Sequence, residues 1–351
     1  MAGLWLGGVA GCSHIGPTTI VDDRIPYNDA ISTSWKQQTL LNIVRLRYSD
    51  VPEFVDIPSA VNGYEHGYST AGGLSLALNP SRTPLDAWNA DLSGSHTMID
   101  RPTITYAPQT NSEFIRNITN PIPPASILNL IEAGNPADVV MELAVESING
   151  IRNRRYAGGF QQSDPEFEHV TKTIRRAQES GYVSLRVLSS GDPRNPDVLM
   201  TIWDKDIPPE LAAELQEMRS ILRINPDAKE LRVVFGMLPE DPSELAIRTR
   251  SILRMMLVLA LNVQVPACHL AEGRAIDLEI TDLPENPPMT VYSSCEKPED
   301  YYAAVYYQGH WFWIDPRDFA SKRTMLFMKL LLAFADTGNR ELAPTLTIRA
   351  N

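Results

Sequence analysis

Cysteine is scarce: Cys12, Cys268 and Cys295 are the three in 351 residues. That is too few to build a disulfide scaffold, and a chain that is 43% hydrophobic has enough apolar material for one large domain or two ordinary ones without it. Positive charge is also short. Lys and Arg total 31 against 43 Asp and Glu, a net charge of −12, which argues against nucleic acid as a partner and against a polybasic membrane-binding face. Long apolar runs are missing. Ile252–Val265 contains Arg254 and ends at Pro266, and Met325–Ala335 is interrupted by Lys329. Both fall short of the roughly 18–20 apolar residues needed to cross a bilayer, and read as core helices. No internal repeat is visible.

The signatures of chemistry are absent too. There is no Gly-x-Ser-x-Gly elbow, no phosphate-cradling Gly-Lys-Ser/Thr and no His-Glu-x-x-His. The six histidines, His14, His66, His96, His169, His269 and His310, do not stand at metal-ligand spacing, so no metal and no cofactor is expected. His269 beside Cys268 is a nucleophile pair only on paper, because such pairs assemble in space rather than along the chain. Asp192 and Asp197 flank a Pro/Asn loop without the ordered ligands of a calcium loop, and read as a solvated turn.

What is present begins at the N-terminus. Leu4-Trp5-Leu6-Gly7-Gly8 is a short apolar run, and Val9-Ala10-Gly11-Cys12 closes it with small residues and a cysteine. This resembles the lipobox of bacterial lipoproteins, and the resemblance covers the first dozen residues. It implies that 1–11 is a signal peptide and that Cys12 carries acyl chains, the anchor and tether running over 12–23. Ser13 after the cysteine implies the outer membrane, with the body facing the periplasm. A signal should open with positive charge, yet no Lys or Arg precedes Arg24; the reading therefore expects a start codon upstream of Met1. In such an oxidising compartment Cys268 and Cys295 are left to pair, and a bridge would contribute roughly 3 kcal/mol; two unpaired buried thiols are the alternative.

The most informative stretch is Tyr64–Met98. Larger residues alternate with small or polar ones, through Leu74, Leu76 and Leu78 on one strand and Trp88, Ala90 and Leu92 on the next, with Asn79–Pro84 as the loop. This is a long β-hairpin. Either it lays its apolar face on a soluble core, or Leu74, Leu76, Leu78, Trp88 and Leu92 face lipid in a ring of protomers that each lend strands.

Around it, the pattern predicts a helix over Asp29–Tyr48, a strand over Arg101–Tyr106, helices at Ser126–Ala133 and Ala137–Ile148, and a boundary at 156–165 marked by Gly158-Gly159. Beyond it come helices at Pro165–Ser180 and Pro208–Ile224 and strands at Tyr182–Leu188, Val198–Trp203 and Glu230–Phe235. A long helix is predicted over Pro242–Val263, an aromatic hairpin over Tyr301–Asp315, a helix at Ser321–Ala335 and a closing strand at Pro344–Arg349. Arg152, Arg154 and Arg155 read as a solvated helix end rather than a phosphate grip. The hairpin aromatics read as core on one face, with a binding surface as the alternative.

The fold class expected is α+β, with 24–155 holding the first helices and the hairpin and 166–351 an antiparallel sheet with packed helices. The function expected is that of a non-enzymatic envelope lipoprotein, attached to the membrane through its lipid and acting by binding envelope partners or associating with itself. A protomer of an oligomeric outer-membrane pore and an envelope hydrolase with a spatially assembled site are the alternatives.

Overall fold

A helix of 33 residues, α1 (Ile15–Arg47), opens the described part of the chain. It reaches back through the stretch expected to be a tether. Pro17 sits in its first turn, where a missing N–H costs nothing. Val21 and Ile25 are 71% and 66% exposed, whereas Leu40, Ile43 and Val44 are completely buried. The i, i+3, i+4 group therefore anchors the C-terminal half of α1, against α7 and β14 defined below. The computed structural model describes residues 15–61, 64–76, 88–100, 103–156, 160–187, 198–203, 207–278 and 287–335. The signal peptide, Cys12, Leu78, the 79–84 loop, Asp192, Asp197 and the closing strand at 344–349 lie outside them.

The chain divides into two units, Phe54–Gln109 and the remainder. The smaller consists of β1 (Val55–Val61), β2 (Tyr64–Leu76), β3 (Trp88–Asp100) and β4 (Thr103–Pro108). The larger continues through α2 (Ser112–Thr119), α3 (Pro124–Glu132), α4 (Ala137–Ala144), β5 (Val145–Ile148), β6 (Ile151–Arg152), β7 (Arg155–Tyr156) and β8 (Phe160–Gln161). Next come α5 (Pro165–Glu179), β9 (Val183–Val187), β10 (Val198–Ile202), α6 (Pro209–Leu222), β11 (Glu230–Phe235) and β12 (Glu244–Thr249). It ends with α7 (Ile252–Ala260), α8 (Ala267–Ala271), β13 (Tyr292–Ser294), β14 (Ala303–Tyr307), β15 (His310–Ile314) and α9 (Phe319–Ala335).

The architecture is α+β. One sheet has the order β6-β5-β12-β11-β10-β9, antiparallel except for the parallel pair β11–β12, and a second has the order β13-β15-β14. The first sheet takes strands from both sides of 156–165, so the division expected there falls instead at the two ends of the 54–109 segment.

Two helices predicted from the sequence are shorter than expected, each because part of its span is taken into the sheet as a strand. The helix expected over Ala137–Ile148 stops at Ala144, and Val145–Ile148 is strand, buried at every position. Asn149-Gly150 then turns β5 into β6 with φ of 46° and 85°, the signature of a type I′ hairpin turn. The positive φ is what favours glycine at 150; a Cβ there would sit 2.9 Å from Leu238 Cδ2, the end of an exposed side chain free to move aside. The helix expected over Pro242–Val263 is β12 followed by α7. Asp241 accepts from the Ser243 N–H at 2.8 Å in a tight turn rather than capping a helix. The true cap is Ser251, which accepts from the Arg254 N–H.

The passage from α4 straight into β5 leaves helix-terminal carbonyls without helical partners. Arg250, 1% exposed, donates from Nη1 to the Glu142 and Leu143 carbonyls at 2.7 and 2.8 Å, from Nη2 to the Arg154 carbonyl, and from its backbone N–H to Ala144. Asn153, also buried, donates to the Glu142 and Val145 carbonyls at 2.8 and 2.7 Å. Burial brings the Arg250 guanidinium down to about 9, with neighbouring Arg154 pushing the same way; at neutral pH it remains a cation seated on the negative end of α4.

Candidate functional site

The smaller unit is a two-stranded ribbon. Val55 to Val61 pair antiparallel with Pro108 to Thr103, and Tyr64 to Leu76 pair with Asp100 to Trp88. Ser59 to Val61, facing Thr105 to Thr103, have the register that Tyr64 opposite Asp100 continues, while a shift between Asp56 and Ser59 offsets the pairs nearer the base. At its base the Gln109 N–H donates to the Phe54 carbonyl at 2.8 Å. The predicted hairpin is present, and its register sets Leu74 against Ala90, Leu76 against Trp88 and Leu92 against Gly72. Residues of like parity thus oppose each other, which keeps the alternation in phase across the two strands. Among the described residues neither ladder pairs with a third strand. In β4, Ile104 and Tyr106 are 41% and 63% exposed.

A second constellation gathers in the larger unit, around residues far apart in sequence. The turn Gln308-Gly309, with φ of 46° and 91°, sends β15 back along β14 and places His310 at its first position. On the other side β13 pairs with β15 as far as Ser294 opposite Trp311, which brings Cys295 next to His310. The bridge between Val263 and Val291 and the Gln264 N–H to Val291 carbonyl bond hold the approach to α8 beside β13, and α8 carries Cys268 and His269. His310 Nε2 stands 3.5 Å from Cys295 Sγ and 3.9 Å from Cys268 Sγ. The His269 and His310 rings meet edge to face at 4.6 Å between centroids. Donor atoms of Cys268, His269 and His310 lie within 4.8 Å of one another.

His269 is 2% exposed, and its Nδ1 is 2.7 Å from the Tyr48 hydroxyl at the end of α1. Burial pushes the Tyr48 phenol up to about 12, so it keeps its proton. Burial also holds His269 below its ordinary value, helped by His310 and Arg274 and opposed by Glu272 and the Gln308 carbonyl. Tyr307 donates to Asp50 Oδ2 at 2.8 Å, and this bond holds the Asp50 carboxyl below the usual range. Phe312, completely buried, packs edge-on to Tyr48; one face of the aromatic hairpin is core, as expected, while Tyr306 is 59% exposed.

The two cysteines are not bonded to each other. The predicted bridge is replaced by a histidine that both sulfurs approach. Sequence reasoning set aside His269 and His310 because linear spacing hid a meeting made by a hairpin register and a short helix. As a nucleophile pair the arrangement is incomplete: His310 Nδ1 is buried without a partner among the described residues, so no third group orients the ring.

The three arginines of the cluster each bond within the chain. Arg152 donates to both carboxylate oxygens of Asp164 at 3.2 Å, the buried Arg154 pairs with Glu142, and Arg155 donates to Gln161. A cleft of about 630 Å³ nearby mixes signs, with Lys172 paired to Glu168 at 2.5 Å on its wall. The Arg152 bonds hold Asp164 below the ordinary carboxyl range. Its folded value lies under its unfolded one, so the pair's stabilisation is present above about pH 3.9 and is lost as pH falls through the folded value. Solvent screening of the exposed Arg152 keeps this contribution small. In Asp164→Asn that acid-side slope of stability is expected to flatten, measured by urea unfolding at stepped pH.

Comparison with protein-family models, with curated proteins and with solved structures finds no match for this chain.

Proposed function

We propose that this protein is an envelope lipoprotein, anchored to the outer membrane through Cys12, that acts without catalysis by assembling through its 54–109 ribbon. The observation that carries the reading is the ribbon itself. A two-stranded ribbon is marginal alone in water, and needs a third strand or a covered face for independent stability. Among the described residues neither ladder pairs with a third strand, and the edge of such a ladder is a template for strands of another chain. Further copies of this chain are the occupants that fit most simply, since each brings the same pair of edges.

The length of the strands favours a second reading, the pore. Each of β2 and β3 has 13 residues, more than the 9–11 or so that a tilted strand needs to cross a bilayer. No described helix is long and apolar enough to do so. A closed ring of ribbons would satisfy every edge, the condition for β-structure in lipid.

The anchor is tested on the protein made from its native locus, by membrane fractionation and mass determination of the N-terminus. The expected result is an acylated Cys12 in the outer-membrane fraction and release of the Cys12→Ala variant from it. An unmodified N-terminus in the cytoplasm would overturn the localisation.

A further inference from the structure

We propose that Cys268, His269 and His310, with Cys295 as fourth donor, bind a single divalent cation of the zinc class. The inference stands apart from the assembly reading and uses none of the same residues.

Two thiols and two imidazoles are a soft-to-borderline set, which suits zinc in tetrahedral geometry and disfavours magnesium or calcium. The spacing agrees. With metal–sulfur bonds of about 2.3 Å and metal–nitrogen bonds of about 2.0–2.1 Å, neighbouring donors of a tetrahedron lie roughly 3.5 Å apart. Cys295 Sγ and Cys268 Sγ stand 3.5 and 3.9 Å from His310 Nε2. The Cys268, His269 and His310 donors already fit within 4.8 Å of one another, so these three close on an ion by small side-chain movements, and the exposed Cys295, which meets His310 but stands outside that group, turns in to complete the four.

The support behind one ligand is also in place. Tyr48 engages Nδ1 of the buried His269 at 2.7 Å. With Nε2 on the metal, the ring proton sits on Nδ1 and the Tyr48 oxygen accepts it, the outer-shell bond that ligating histidines ordinarily make. Both cysteines are exposed, which gives the ion an entry path. On binding, each thiol releases a proton to solvent and ligates as thiolate, so the step balances as cation in and protons out. A bound ion would tie α8 to the β13-β15-β14 sheet, a staple where a disulfide was expected.

The test is titration of the reduced full-length chain with Zn²⁺ against a chromophoric chelator, and with Co²⁺ followed by absorption. Expected are one ion per chain, tetrahedral cobalt d–d bands, and a thiolate-to-cobalt charge-transfer band. Cys268→Ser, Cys295→Ser and His310→Gln should each weaken binding by more than about 100-fold, and Tyr48→Phe by about tenfold as an outer-shell change. The two serine variants replace exposed groups, and their unchanged far-UV circular dichroism would show that loss of binding is not loss of fold. Binding as tight in the Cys268→Ser/Cys295→Ser double variant would overturn the proposal. So would six-coordinate cobalt spectra without a thiolate band, or failure of reduced protein to hold an ion.

Discussion

Replacing Arg250 with alanine is expected to destabilise the folded chain by about 3–5 kcal/mol, seen as a lower denaturation midpoint with an unchanged denaturant slope. Its guanidinium supplies the donors for three carbonyls, at Glu142, Leu143 and Arg154, in a place water does not reach. Each buried acceptor left unpaired costs about 1–3 kcal/mol, and the vacated volume adds a cavity cost. Arg250→Lys should recover only part of the loss, because one ammonium cannot reproduce a planar fork of donors. Asn153 bonds to the same Glu142 carbonyl. Either replacement alone leaves that carbonyl one donor, whereas Arg250→Ala with Asn153→Ala leaves it none and should be more damaging than the sum of the two.

Asn42→Ala is expected to cost about 2–3 kcal/mol. This side chain is completely buried in α1 and holds both backbone groups of Glu53: it donates to the carbonyl at 2.7 Å and accepts from the N–H at 2.9 Å. An alanine leaves a donor and an acceptor without partners and opens a void. Glu53 is the last residue of the larger unit before the ribbon begins, so the loss should be local as well as global. Amide hydrogen exchange at Glu53 is expected to accelerate more than at Val44, which lies in the same helix-anchored core. The Arg45–Glu53 ion pair, whose carboxylate is 72% exposed, is not a substitute.

Elements with one clear period were legible in the sequence. The 64–76 and 88–100 strands, α5, α6, β11 and the β14–β15 hairpin fall where alternation, helical spacing and turn residues put them. The failures share a physical cause. Val145–Ile148 carries the buried polar pair Glu146 and Ser147 between two apolar ends, a pattern with no single period, and Leu245–Ile247 is a short apolar run, which suits a buried strand and a buried helix equally; only their place inside a sheet decides. Asn149-Gly150 was the available clue to the first of them. Residues 15–23 of the expected tether are helical in α1, since polar composition speaks of solvent rather than of backbone. The Cys–His constellation was the least legible. His310 meets Cys295 through strand register and Cys268 through the packing of α8, neither of which leaves a linear spacing to read.

The central claim is that the ribbon is an assembly element, and sedimentation tests it most directly. The full chain with its native anchor, extracted in detergent, is compared with a variant in which 55–108 is replaced by a short Gly-Ser turn across the Phe54–Gln109 base. Expected are one large, uniform species for the full chain and a folded monomer for the variant. A full chain that sediments as a monomer, or a variant that retains the large species, would contradict it.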